Sequence, residues 1–275
     1  MPSLSARLAE ALFRTPLRYR HLRREERVLD KARFSRTPFG GKSLPTWIWG
    51  KGPPVLLVHG WAGHAGRLTP FVDPLVEAGF SVISFDAPGH GQSPGRRSSL
   101  PEFVLAIRAV ARRHGPLQAA IGHSMGAAAC VLAARNGVPI PRIVLVAPPA
   151  DPEKYSVRFA RYFRIPATTR DAMKRRLEQR YRVQWPDLRI PGGNCPARLL
   201  VFHDRGDGKV PFRDGQEIVR AWPNAILVRT RGLGHHRILC DRKVITRAVA
   251  FIEGRYLLRA PTVRPTRPLL PALVS

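Results

Sequence analysis

Apolar and polar positions along this chain predict an alternation of strands and helices. Short runs rich in apolar residues recur at 53–58, 81–85, 142–147 and 197–202, and a similar run ends at Ile121. Such runs are typical of strands buried on both faces of a parallel sheet. Helical patterns separate them at 70–79, 99–115, after 126, at 213–221 and at 241–256, and a further strand is predicted at 225–229. The fold class is therefore α/β, a mostly parallel, doubly wound sheet with helices on both faces.

Residues 3–31 form a predicted basic amphipathic helix ahead of this alternation. Leu4, Leu8 and Leu12 share one face, with arginines elsewhere. Such a stripe usually docks on the protein itself, and an anionic membrane is the alternative. We therefore predict an N-terminal region at 1–31 and a main domain at 32–256.

Three other segments complete the predicted organisation. A pair of edge strands is predicted at 32–35 and 44–49, separated by Pro38–Gly41. The segment 149–195 breaks the alternation with prolines, arginines and aromatic residues, and Met173, Leu177 and Tyr181 mark one amphipathic helix in it. We expect a small helical lid there, over the carboxyl edge of the sheet where ligands bind. The tail at 257–275 is rich in proline, and we expect it to be disordered.

The most informative motif is Gly122-His-Ser-Met-Gly126, between the strand ending at Ile121 and a run of small, helix-favouring residues. The pattern G-x-S-x-G between a strand and a helix predicts a nucleophile elbow with Ser124 exposed at the sheet edge. The same pattern occurs around Ser93, but Pro94 follows that serine and has no N–H group to stabilise an oxyanion. Ser124 is therefore the candidate nucleophile.

Three further motifs lie in order around this elbow. They are His59-Gly60-Trp61, the loop from Asp86 to Ser93, and Asp207 followed by His235. With the elbow they resemble the α/β-hydrolase family over roughly residues 28–256, and the segments after Asp207 and Gly232 resemble a largely uncharacterised group of bacterial hydrolases. The resemblance implies a serine hydrolase whose triad runs Ser, acid, His along the chain.

The resemblance assigns a role to each candidate residue. His235 would accept the proton of Ser124, and Asp207 would hold the imidazole in the required tautomer. His236 is the alternative base. Asp204 is the alternative acid and is otherwise expected to be a solvated loop carboxylate.

The backbone N–H groups of Trp61 and Met125 are implied to form the oxyanion hole. We expect His59 and His90 to be structural hydrogen-bonding residues. The sequence gives no indication of a cofactor or a metal site.

Charge is the unusual feature of the composition. Lys and Arg number 46 against 19 Asp and Glu, which gives a net charge of +27. The basic residues are dispersed, which makes nucleic-acid binding unlikely and favours arginines that solvate the surface; an anionic substrate, polyanion or membrane is the alternative. The chain has three widely spaced cysteines and no apolar signal segment at its start, so we expect a cytoplasmic protein with free thiols.

Three functions follow in order of preference. The first is a serine hydrolase that cleaves a carboxylic ester of a small molecule through an acyl-enzyme, without a cofactor. The second is a thioesterase or acyltransferase acting on an anionic substrate. The third is a non-catalytic protein that binds a polyanion or a membrane, with the N-terminal helix as a possible site of peripheral contact.

Overall fold

The computed structural model describes residues 4–191, 195 and 197–255, and eight of its strands form one sheet. The order across the sheet is β1-β2-β4-β3-β5-β6-β7-β8. β1 and β2 are antiparallel to their neighbours, and all pairs from β4 to β8 are parallel. The strands are β1 Arg33–Phe39, β2 Lys42–Trp49, β3 Pro54–Val58, β4 Ser81–Phe85, β5 Ala119–His123, β6 Arg142–Val146, β7 Arg198–Asp204 and β8 Ala225–Thr230.

Helices connect these strands and precede them. In chain order they are α1 Leu4–Phe13, α2 Arg23–Leu29, α3 Val72–Glu77, α4 Leu100–His114, α5 Met125–Arg135, α6 Glu153–Tyr162, α7 Ala167–Tyr181, α8 Phe212–Ala221, α9 Gly234–Arg237 and α10 Arg242–Ile252. Short 3-10 helices occupy Ala65–Phe71, Trp185–Leu188 and Ile238–Cys240. No helix in the described part of the chain is long and apolar enough to cross a bilayer.

The central strands β3 to β7 are buried on both faces, as their apolar residues predict. Successive side chains of a strand point to opposite faces, and β3 divides its four buried residues between two clusters. Leu56 and Val58 pack with α4, α5 and α8, whereas Val55 and Leu57 pack with α3 and α10. The predicted fold class, a doubly wound and mostly parallel sheet, is thereby confirmed.

The N-terminal region differs from its prediction in two ways. The expected single helix over 3–31 is two helices, because Pro16 cannot continue α1 and disfavours helical geometry in the residue before it. The expectation that the leucine stripe docks on the protein is also wrong. Leu4, Leu8 and Leu12 are 72%, 63% and 46% exposed. The helix docks through its opposite face, where Ala6, Ala9 and Glu10 are buried.

Glu10 explains this orientation of α1. Its carboxylate lies 2.7 Å from Nε of Arg176 and 2.8 Å from Nε of Arg180, both on α7. Ion pairs between the buried Glu10 carboxylate and partly exposed arginines thus replace the expected leucine contact.

Two other local predictions are also wrong. The helix predicted at 70–79 begins as an α-helix only at Val72, because Thr69 and Pro70 lie within the 3-10 helix, where the Thr69 hydroxyl donates to the carbonyl oxygen of Gly66. β1 runs through Pro38 to Phe39, and the turn is at Gly40 and Gly41. Proline is tolerated there because β1 is an edge strand.

The segment between β6 and β7 is helical, as expected. It contains α6, α7 and the 3-10 helix Trp185–Leu188. Met173, Leu177 and Tyr181 are buried on one side of α7, in agreement with the predicted stripe. The predicted tail at 257–275 lies outside the described residues.

Candidate active site

Ser124 lies in the sharp turn between β5 and α5. Its φ angle is 52°, in a region that residues with a side chain seldom adopt. Its N–H donates to the carbonyl oxygen of Val146 at the end of neighbouring β6. The serine is therefore held in a strained conformation by its own strand and the next, as expected for a nucleophile elbow.

The two glycines of the motif are sterically required. A Cβ atom on Gly122 would lie 2.5 Å from Cα of Ala127. One on Gly126 would lie 2.3 Å from the carbonyl oxygen of His59. Both obstacles are backbone atoms, which cannot move aside cheaply. The turn thus packs β5 and α5 against each other and against the end of β3 with no room for side chains.

Asp207 and His235 meet at the same edge of the sheet. Nδ1 of His235 lies 2.7 Å from Oδ2 of Asp207, and Oδ1 of Asp207 accepts from the N–H groups of Lys209 and Val210 at 2.7 and 2.9 Å. Burial alone would raise the pKa of Asp207, but the hydrogen bond from His235 and the two N–H groups outweigh it. Its pKa therefore lies below the usual aspartate value, and the carboxylate is ionised at neutral pH.

Asp204 is the last residue of β7, just before the loop of Asp207, and it has no hydrogen bond to the His235 side chain. Its Oδ2 accepts from the Thr230 hydroxyl at 2.8 Å and from the Leu233 N–H at 3.0 Å, and its Oδ1 accepts from the Gly206 N–H at 2.9 Å. The side chain is fully buried, so the expectation of a solvated carboxylate is wrong. Burial raises its pKa, but these bonds outweigh burial and lower it. Asp204 ties the segment before His235 to the end of β7.

His123 is a residue whose role the sequence did not reveal. This residue directly precedes Ser124 in the chain and is buried. Its Nε2 lies 2.9 Å from the carbonyl oxygen of His235. Burial lowers its pKa to about 3, so the ring is neutral and Nε2 carries the proton that this bond requires. His123 therefore connects the elbow to the backbone of His235. The sequence offered one signal, a polar residue at the end of an apolar strand.

The alternatives to these residues are placed differently. His236 is exposed and has no hydrogen bond to a carboxylate within the described residues. Ser93 is 1% exposed, and its hydroxyl donates to the backbone carbonyl of Asp86 at 2.6 Å. The Ser93 hydroxyl thus stabilises the loop from Asp86 to Ser93.

His59 and His90 both make structural hydrogen bonds in the structure. Nδ1 of His59 bonds the carbonyl oxygen of Gly60 at 2.8 Å, and its Nε2 accepts from the Ala87 N–H at 3.0 Å. Nδ1 of His90 bonds the carbonyl oxygen of Pro88 at 3.0 Å. Burial lowers the pKa of both rings, that of His90 to about 4, so both are neutral. Among the described residues, no three His, Cys, Asp or Glu side chains are grouped to hold a metal ion.

The loop after β3 lies directly against the serine. A Cβ atom on Gly60 would be 3.0 Å from Cβ of Ser124, so the backbone of Gly60 passes beside the serine side chain, and Trp61 is the next residue of that loop. Met125 is the first residue of α5, where N–H groups have no partner within the helix. The N–H groups of Trp61 and Met125 thus belong to the two segments that flank Ser124.

A cavity of about 730 Å³ opens at this edge and brings these residues together. Trp61, Ser124, Met125 and His235 line it, whereas Ser93 does not. The helical segment between β6 and β7 and the N-terminal region supply its apolar wall, made of Phe13, Phe159, Leu177, Tyr181, Val183, Trp185 and Leu188. Its charged lining residues are Arg14, Arg67, Arg158, Lys209 and Glu178, so cations predominate.

Comparison with known proteins identifies a family for this chain. The sequence model of the family Hydrolase_4, described as serine aminopeptidase S33, matches residues 53–230. This match covers more than half of the 275-residue chain. The chain is 35% identical over 94 residues to a serine hydrolase-like protein of Mus musculus, which is 32% of this chain and 30% of that protein. It is 39% identical over 88 residues to a pimeloyl-acyl-carrier-protein methyl ester esterase of Methylococcus capsulatus, 31% of this chain and 33% of that protein. These matches thus span about a third of the curated relatives.

A solved structure extends the likeness of the fold to nearly the whole chain. An esterase of Pyrococcus furiosus superposes with a TM-score of 0.65 at 20% identity, and the match covers 87% of this chain and 96% of the esterase. At that identity the likeness concerns the fold. The family match and the fold lead to one conclusion: the chain belongs to the Hydrolase_4 family of serine hydrolases, within the α/β-hydrolase superfamily.

Proposed function

We propose that the protein hydrolyses a carboxylic ester through an acyl-enzyme, with Ser124 as nucleophile, His235 as base and Asp207 as the orienting acid. One observation carries the proposal. The imidazole that is hydrogen-bonded to the buried carboxylate of Asp207 lines the same cavity as the strained serine.

The protonation states follow from the hydrogen bonds. An ionised Asp207 can only accept, so Nδ1 of His235 carries the proton of the neutral ring. The lone pair is then on Nε2, the nitrogen that would take the proton of the Ser124 hydroxyl. Asp207 also stabilises the imidazolium that forms.

The reaction proceeds in two displacements. The Ser124 oxygen bonds to the ester carbonyl carbon while its proton passes to His235, and the tetrahedral oxyanion lies at the N–H groups of Trp61 and Met125. Collapse breaks the bond to the leaving alcohol, which takes the proton from His235. A water molecule then attacks the acyl-enzyme by the same route in reverse and releases the carboxylic acid.

The apolar wall of the cavity fits the acyl part of an ester. The Methylococcus capsulatus relative is named as a methyl ester esterase, which supports ester hydrolysis as the reaction class of this chain. Among the charged lining residues, four are basic and one is acidic. This imbalance favours a second candidate, a thioesterase or acyltransferase acting on an anionic substrate. Rates on matched neutral and anionic esters and thioesters distinguish the two candidates.

Labelling by a fluorophosphonate tests the proposed nucleophile. We expect the wild-type protein to react and Ser124→Ala and His235→Ala to lose labelling, because the first lacks the attacking oxygen and the second its base. Ser93→Ala is the matched control within a second G-x-S-x-G pattern, and it should label like the wild type.

Mass spectrometry of the labelled peptide gives an independent readout of the modified residue. Labelling that survives in Ser124→Ala, or that is lost in a folded Ser93→Ala, would overturn the assignment. Thermal melting of each variant shows whether a loss of labelling reflects the chemistry or the fold.

A further inference from the structure

Exposed apolar side chains are concentrated in one part of the molecule. Of the eleven large apolar side chains that are exposed within the described residues, ten lie in three places, and Phe34 is the exception. Six are in the N-terminal segment, three in or directly after α6, and one at the mouth of the cavity. They are Leu4, Leu8, Leu12, Leu17, Tyr19, Leu22, Val157, Tyr162, Phe163 and Trp61, and we call them the apolar surface.

The leucines of α1 are held outward by the rest of the helix. Glu10 on the opposite face makes ion pairs to Arg176 and Arg180, and Glu10 itself is buried. Rotating α1 to hide its leucines would turn Glu10 away from α7 and break both ion pairs, which opposes the rotation. The exposed stripe is therefore a fixed feature of the folded chain.

The apolar surface continues to the entrance of the cavity. Tyr19, Trp61, Tyr162 and Phe163 are exposed and also line the cavity. Ring contacts connect α1 to this rim: Phe13 packs on Phe159 with centroids 5.0 Å apart. Phe159 packs on Phe163, also at 5.0 Å, and Phe163 on Tyr162 at 4.8 Å.

Basic side chains accompany the same segments. Arg7 and Arg20 in the N-terminal segment and Arg161 and Arg164 at the end of α6 are exposed. None of the four has an ion pair with another described residue. Leucine and aromatic side chains next to unpaired arginines are the composition of segments that lie in the interface of an anionic bilayer.

We propose that the apolar surface docks the protein on an anionic phospholipid bilayer, with the entrance of the cavity next to the lipid. Aromatic rings at the rim suit the headgroup level, and the leucines of α1 enter the acyl region. A second copy of the chain is a poorer occupant, because a symmetric contact would bring these arginines against one another.

Sedimentation with vesicles tests the proposal. The probes are vesicles of phosphatidylcholine and phosphatidylglycerol in equal parts and vesicles of phosphatidylcholine alone. We expect wild-type protein to sediment with the first and at least about tenfold less with the second. The triple variant Leu4→Ser, Leu8→Ser, Leu12→Ser should bind anionic vesicles at least about a hundredfold more weakly, since three apolar side chains no longer enter the lipid.

Phe34→Ser is the matched control, because it removes an exposed large apolar side chain outside the apolar surface. It should bind vesicles like the wild type. The proposal is overturned if the triple variant binds as the wild type does, if both vesicle types bind equally, or if Phe34→Ser weakens binding as much. A wild-type dimer that the triple variant dissociates in sedimentation velocity, without vesicle binding, would assign the surface to a second copy instead.

Docking and catalysis are separable in this design. Sedimentation needs no turnover, so Ser124→Ala should bind vesicles fully even if the proposed ester hydrolysis is wrong. The proposal rests on the proposed function in one part only, namely that an ester from the bilayer enters the cavity and reaches Ser124. For that part, we expect the triple variant to keep its rate on a water-soluble ester and to lose at least about tenfold on an ester held in anionic vesicles.

Discussion

Two regions of the molecule are built by different means. One is the carboxyl edge of the sheet, and the other is the set of helices α1, α6 and α7 above that edge, which we call the cover. At the edge, backbone atoms determine the geometry: Gly126 is confined by the carbonyl oxygen of His59, and Asp207 is held by two N–H groups of its own loop. In the cover, side chains meet side chains. Phe13 packs on Phe159, and Glu10 pairs with arginines of α7.

This difference separates the chemistry from the choice of substrate. Backbone hydrogen bonds and steric contacts leave little freedom, which suits groups that must be placed to within a fraction of an ångström. Contacts between side chains can change one at a time without disturbing the sheet. Substitutions at the edge should therefore change the rate constant, and substitutions in the cover should change which ester is accepted or how it is reached.

The largest effect is expected from Asp207→Asn, at the edge. Asparagine can still accept from the N–H groups of Lys209 and Val210, but its amide would face Nδ1 of His235 and favour the wrong tautomer. We expect kcat on a soluble ester to fall by about 10⁴-fold while the fold is kept. Steady-state kinetics and thermal melting measure the two quantities.

Asp204→Asn is the matched control for that variant, since Asp204 is another buried carboxylate, three residues earlier at the end of β7. It supports the loop without touching the imidazole, so its loss in kcat should be much smaller than that of Asp207→Asn. Equal losses in kcat from the two variants would mean that the acid is not distinguished by its contact with His235.

An intermediate effect is expected from Phe13→Ala, in the cover. Phe13 lies against Phe159 and has a centroid 6.4 Å from that of Trp185, so its removal enlarges the apolar wall of the cavity. We expect kcat/KM to shift toward longer acyl chains by about tenfold relative to short ones, with kcat on a short ester nearly unchanged. A series of esters of increasing acyl length measures the shift.

The control for Phe13→Ala is Leu12→Ala, its exposed neighbour outside the cavity. On soluble esters it should leave the chain-length profile unchanged. A profile that moves as much in Leu12→Ala, or a Phe13→Ala variant that loses kcat on every ester alike, would contradict the division between edge and cover.

The same division explains what the sequence could predict. The strands and the elbow follow from local rules, because apolar runs and the glycines around Ser124 restrict the backbone directly. The docking face of α1 cannot be predicted from local rules, because the partners of Glu10 are 166 and 170 residues away along the chain. The role of His123 is hidden for the same reason, since the carbonyl group that it bonds is 112 residues distant. Pro16 does indicate a break between α1 and α2, but the helical periodicity on both sides of it favoured a single helix.

The smallest effect on activity is expected for Asp204, whose main contribution concerns the pH dependence of stability. Its pKa is lowered in the folded protein, so the ionised form stabilises the fold at any pH above the usual aspartate value of 3.8. That contribution is lost as the pH falls through the lowered value.

Asp204→Asn cannot ionise, and near neutral pH it should lower the free energy of unfolding by about 1–3 kcal/mol, because a donor replaces an acceptor opposite buried donors. Urea unfolding of the wild type and the variant, at about pH 6 and again at about pH 3, measures the difference. We expect it to shrink at the lower pH, because the carboxyl group of the unfolded wild type gains a proton there and the advantage of the ionised form in the folded state decreases. A difference that stays constant or grows on acidification would mean that the carboxylate is not what ties the segment before His235 to the sheet, and the rigid edge would then depend on the backbone alone.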